Sequence, residues 1–295
     1  MYDTILIPTD GGDHAVRAAE HGLALAAVFD AGVHVISVVD LSTDASVFDA
    51  GGVLPDVLET LRAEGNAAID SIVGMTERSV ETAIIEGDPE AAILDYATSH
   101  DVDLLVMGTP GRSGISRHLA GSVCEQAIRH ASMPVMSVRA TADSARAGEY
   151  DDLLVPTDGS ETAAAAIEHA ISIARATDAR IHAVNVIDLG DVAAHGEYAI
   201  PTGLMESLTE RGETATAAVA ERAREAGLDA VTAVSSGYPA RELLAYAEDN
   251  GIDLITMGTA GRTGVRRFLV GSTTERLVRH ADVPVLTVNA RDRPV

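Results

Sequence analysis

The chain has 295 residues and a formal net charge of −24, from 45 acidic against 21 basic residues, and every basic residue is arginine. That length holds one large domain or two of ordinary size, and so acidic a surface repels a phosphate backbone, which excludes general DNA or RNA binding. No segment approaches the roughly 18 uninterrupted apolar residues of a membrane helix, the lone Cys124 excludes an intrachain disulfide, and the opening MYDTILIPTD lacks the basic head of a secretory peptide, so a cytoplasmic location is expected.

In chain order, Thr4 to Pro8 reads as a short apolar strand, Asp13 to Phe29 as a helix and Val33 to Val39 as a second strand. Pro55 to Val73 is a helix, Val80 to Ile85 a strand, and Asp88 to Ser99 a helix that Asp88 caps with Pro89 at its first position. Asp103 to Met107 is a strand, Ser122 to His130 a helix, and Val135 to Val138 the last strand of the cycle. The cycle then repeats. YDTILIPTDGG at Tyr2 returns as YDDLLVPTDGS at Tyr150, DLLVMGTPGRSG at Asp103 as DLITMGTAGRTG at Asp253, and AGSVCEQAIRHASMPVMSV at Ala120 as VGSTTERLVRHADVPVLTV at Val270. Two tandem domains follow, 1–147 and 148–295. Alternating elements with uninterrupted apolar strands describe an α/β fold: two Rossmann-like three-layer domains, each with a five-stranded parallel sheet covered on both faces. Ligands are expected beyond the carboxyl strand ends, where the strand order reverses. The order itself is open.

The strongest chemical signal is GTPGRSGISRHLAGS, Gly108 to Ser122, repeated as GTAGRTGVRRFLVGS, Gly258 to Ser272. The spacing G-x2-G-x9-G-S follows an apolar strand and ends at a helix start; it is neither a Walker A loop nor a dinucleotide GxGxxG loop. Glycines let backbone N–H groups approach phosphate oxygens, and the helix start adds unpaired N–H groups and a positive dipole end. Arg112 and Arg262 are positioned in sequence to neutralise charge. Ser122 with Glu125, and Ser272 with Glu275, also match capping boxes, so these serines serve either a cap or a phosphate. Ten histidines are scattered without a ligand cluster, and no structural zinc is expected.

With PTDG, MGTxGRxG, the final GS and a terminal PV strand in both halves, nearly the whole chain resembles the universal stress protein family, whose domains are adenine nucleotide alpha hydrolase-like. The resemblance implies ATP. It implies phosphate contacts from Gly108, Gly111, Gly121, Ser122 and Val123, and from Gly258, Gly261, Gly271, Ser272 and Thr273. Pro8, Thr9 and Asp10, with Pro156, Thr157 and Asp158, form the facing wall, where the two aspartates either accept ribose hydroxyls, hold a divalent cation such as Mg2+, or cap a helix. Val38 and Met107, with Val186 and Met257, are assigned to an apolar adenine niche or to ordinary core packing. The expected function is that of an ATP-responsive regulator or adaptor in stress adaptation, with slow hydrolysis at most, an unknown protein client, and Leu41 to Leu54 and Leu189 to Leu204 as lids. Pairing of the last strands implies an intrachain pseudo-dimer, and a homodimer is a further expectation. A nucleotide-free interaction module and a dedicated ATP-dependent hydrolase or transferase are the alternatives. The acidic, lysine-free composition suits salt-rich cytoplasm, as in a halophilic archaeon.

Overall fold

Apolar runs closed by Pro, Asp or Gly set the strands, and alanine-rich segments set the helices between them. The computed structural model of the chain describes residues 1–40, 48–49, 52–53, 55–109, 123–140, 147–188, 190, 203–259 and 270–289. It divides into two compact units, Met1–Ala142 and Asp143–Val295. In the first, β1 (Thr4–Pro8), α1 (Asp13–Phe29) and β2 (Gly32–Val39) precede a two-residue antiparallel pair, β3 (Phe48–Asp49) and β4 (Gly52–Val53). Next come α2 (Pro55–Val73), β5 (Val80–Glu86), α3 (Pro89–Ser99), β6 (Leu104–Gly108), α4 (Val123–His130) and β7 (Val135–Val138). The second unit has β8 (Asp152–Pro156), α5 (Glu161–Thr177), β9 (Arg180–Asp188), α6 (Leu204–Glu225), β10 (Ala230–Gly237), α7 (Pro239–Asp249), β11 (Leu254–Gly258), α8 (Ser272–His280) and β12 (Val285–Val288).

The strand order, left open by the sequence, runs β5, β2, β1, β6, β7 in the first unit and β10, β9, β8, β11, β12 in the second. All pairs within these two sets are parallel. The chain moves outward from the first strand to the third, then crosses back to place the fourth on the other side. That reversal opens a crevice between β1 and β6, and between β8 and β11, at their carboxyl ends. Ile5, Leu6, Leu104, Leu105, Leu153, Leu154, Leu254 and Ile255 are wholly buried, as strands covered on both faces require. α1 packs on β1 and β6, α2 on β2 and β5, and α5 on β8 and β11. Among the described residues no helix is long and apolar enough to cross a membrane.

Polar braces recur in both copies. Asp103 Oδ2 accepts the N–H groups of Asp3 and Thr4 at 2.8 and 2.9 Å, tying the start of β6 to that of β1. Asp253 Oδ2 does the same for Asp151 and Asp152 at 2.9 and 3.0 Å. His34 Nδ1 lies 3.0 Å from the Tyr96 hydroxyl, and His182 Nδ1 lies 2.9 Å from that of Tyr246, so each pair pins a helix to the second strand. Beyond that, the surroundings diverge: His182 Nε2 meets Asp152 at 2.8 Å, whereas His34 Nε2 faces Glu81 at 3.8 Å, with the His100 ring nearby. The centre of β11 also carries an irregularity, the wholly buried Thr256 hydroxyl, which has no hydrogen-bond partner among the described residues.

Candidate functional site

The first wall of the crevice is a pair of tight turns. After β8, Thr157 donates its N–H to Val184 O at 2.9 Å and accepts the Gly159 N–H on Oγ1 at 3.1 Å. Asp158 Oδ1 accepts the Ser160 N–H at 2.9 Å. Thr9, Gly11, Asp10 and Gly12 repeat these contacts after β1. The turns aim the chain back into the following helix. Helix capping by Asp158 is not what the structure shows: Ser160 is the N-cap of α5 and its Oγ accepts the Ala163 N–H at 3.3 Å. The corresponding Gly12 caps α1 without a side chain.

Opposite this wall stands the start of α8. Its N-cap is Gly271, and Ser272 is already helical, so the Ser272–Glu275 capping box, one of the two roles open to that serine, does not form. The Glu275 carboxylate instead receives Arg279 Nη2 at 3.1 Å, one turn toward the carboxyl end. The Gly271 N–H is spent on Thr259 O at 2.8 Å and the Thr274 hydroxyl on Gly258 O at 3.0 Å, which anchor the helix start to the end of β11. Ser272, Thr273 and Thr274, the first residues of α8, line the intervening space.

That space is a cleft of about 370 Å3, inside the range of small-molecule sites. Pro156, Thr157 and Asp158 line one side, Val186, Met257 and Gly258 its floor, and Gly271, Ser272 and Thr273 the other side. Thus all the second-domain residues that the sequence assigns to a nucleotide line this cleft, except Gly261 and Arg262, which lie outside the described residues. In the first domain Pro8, Thr9, Asp10, Val38, Met107 and Gly108 occupy the matching strand ends and Val123 opens α4. Gly111, Arg112, Gly121 and Ser122, and most of both expected lids, lie outside the described residues.

Gly108 has a second reason to be glycine. A Cβ built there would fall 2.5 Å from the carbonyl carbon of His14, so the close approach of β6 to the first turn of α1 already forbids a side chain. Cys124, at the start of α4, is 2% exposed, and burial, with Glu125 adding to it, pushes its thiol up to about 12. Sequence reasoning passed over Asn185, which lines the cleft and donates Nδ2–H to Thr157 O at 2.7 Å, locking the first wall. Its signal was an amide interrupting the apolar run from Ala183 to Ile187. Among the described residues no group of three or more His, Cys, Asp or Glu side chains is placed to hold a metal ion.

Comparison with known proteins matches this architecture. The universal stress protein family profile fits residues 1–139 and again 149–289. A universal stress protein of Methanocaldococcus jannaschii is 39% identical over 142 residues, spanning 47% of this chain and 82% of that protein. Another from that organism is 27% identical over 157 residues, spanning 48% and 97%. The crystal structure of a universal stress protein from Archaeoglobus fulgidus superposes with a TM-score of 0.74 over 98% of this chain and 99% of that one, at 21% identity, a likeness of fold.

Proposed function

The chain belongs to the universal stress protein family, and from that premise we propose that it is an ATP-binding regulator or adaptor whose bound state alters an interaction with a protein client. The observation that carries this reading is the convergence on one cleft, at the reversal of strand order, of a helix start, two hydroxyl side chains and an apolar floor. These suit the parts of an adenine nucleotide separately. The N–H groups at the start of α8 favour an anionic phosphate tail, Met257 and Val186 offer a flat apolar surface to a base, and Asp158 is a carboxylate for ribose hydroxyls or for a magnesium ion accompanying the nucleotide. The first domain takes the same role through Gly108, Gly111, Arg112, Gly121, Ser122 and Val123. Slow hydrolysis that resets the bound state belongs to this reading, as does pairing of the two domains through their last strands, which the duplication supports. A salt-rich cytoplasm is the proposed setting, on the grounds of the net charge of −24.

Calorimetric titration with ATP, ADP and AMP, with and without magnesium, at molar potassium chloride tests the reading. Gly271→Asp places a carboxylate at the start of α8 and is expected to abolish binding in the second domain; Gly121→Asp does so in the first. Unchanged stoichiometry in both variants rejects the sites.

A further inference from the structure

β10 ends the strand order of the second domain and, among the described residues, pairs only with β9. Its sequence, AVTAVSSG, has neither charge nor proline, and Val231 is 39% exposed. The corresponding edge of the first domain, β5, reads VETAIIE, with Glu81 and Glu86 where β10 has Val231 and Ser236. Charged side chains are a common guard against edge pairing. The duplicated chain therefore keeps a guarded edge in one half and an unguarded one in the other.

The ladder fixes which groups of β10 face outward. Ile181 donates its N–H to Asp229 O at 2.9 Å, and Ala230 stands opposite Ile181. Alternate residues of a parallel strand bond to the same neighbour, so the N–H and C=O groups of Ala230, Thr232, Val234 and Ser236 point away from β9. At one end of this edge, Arg224 Nη2 donates to Ala230 O at 3.1 Å. At the other, the Glu242 carboxyl packs beside Gly237, with Oε1 2.7 Å from where a Cβ would be. Neither Arg224 nor Glu242 forms an ion pair among the described residues.

We propose that β10 is a self-association edge, to which a second copy of this chain adds its own β10, antiparallel, about a twofold axis. Antiparallel pairing brings the Ala230 end of one strand beside the Gly237 end of the other, and so Arg224 of each copy to Glu242 of its mate. Parallel pairing would set like charges together, so the two ends select the orientation. An uncharged strip is also where two copies of a chain with net charge −24 meet with least repulsion.

Sedimentation equilibrium of the full chain at molar potassium chloride tests this. The wild type is expected to form a concentration-dependent dimer. Val231→Glu with Ser236→Glu, which installs the residues found on β5, is expected to raise the dissociation constant at least about tenfold, with the far-UV circular dichroism spectrum of the folded protein unchanged. Arg224→Glu should weaken the dimer, and adding Glu242→Arg should restore it; this swap decides the matter should the edge variant fold poorly. A monomeric wild type, a dimer indifferent to Val231→Glu with Ser236→Glu in a folded protein, or one indifferent to Arg224→Glu overturns the proposal.

Discussion

Thr256 places a hydroxyl at the centre of the second domain, wholly buried and without a hydrogen-bond partner among the described residues, where the first domain has Val106. Such a group forfeits its bonds to water at a cost of roughly 1–3 kcal/mol. Thr256→Val keeps the shape and removes the debt, so it is expected to stabilise the second domain by about 1 kcal/mol, read as a higher denaturant midpoint. Gly108→Ala acts in the opposite sense. The added carbon meets the backbone of His14, which cannot swing aside, and a loss of about 3 kcal/mol is expected in the ligand-free protein. His34 gives the first domain a pH dependence. Burial lowers its imidazole below 6.5, with Glu81 opposing and His100 reinforcing the shift. The fold thus favours the neutral ring. Its contribution is intact above 6.5 and is lost as pH falls below that value through the depressed folded one. Urea midpoints are expected to drop as pH falls below 6.5, and His34→Gln should flatten that slope.

At the scale of elements, the two helix starts of the second-domain cleft separate a cap from its imitation. Ser160 accepts the Ala163 N–H, so Ser160→Ala is expected to cost about 1 kcal/mol; Ser272 is already helical, and Ser272→Ala should cost less than about 0.5 kcal/mol. Thermal unfolding of the two variants compares them directly. The pattern S-x-x-E was legible in the sequence, but not that Gly271 takes the cap while the Glu275 carboxylate turns toward Arg279. Strands such as LLVM were legible because a parallel strand covered on both faces reads as a near-continuous apolar run. Their order was not, since it depends on how whole crossovers pack rather than on any local run. Asn185 escaped notice because its contribution, an amide clamped on Thr157 O, exists only once β8 and β9 lie side by side. Gly108 was read for its openness to a ligand, and the backbone of α1 supplies a competing reason that spacing alone does not carry.

Across the whole molecule, excess acidic charge opposes compactness until salt screens it, to about 3 Å in molar electrolyte. The melting temperature is therefore expected to climb with potassium chloride, followed by circular dichroism; a flat response would remove the argument for a salt-rich setting. Every strand of each five-stranded sheet comes from one contiguous half of the chain. Residues 1–147 and 148–295, expressed separately, are accordingly expected to unfold cooperatively on their own. Duplication usually makes such halves hard to tell apart in solution, because every spectroscopic signal is the sum of twins. The sulfur of Cys124 breaks that degeneracy. Sealed in one twin and matched by Thr274 in the other, it makes a thiol-trapping reagent a stopwatch that starts only when the first twin breathes and stays silent however often the second one does.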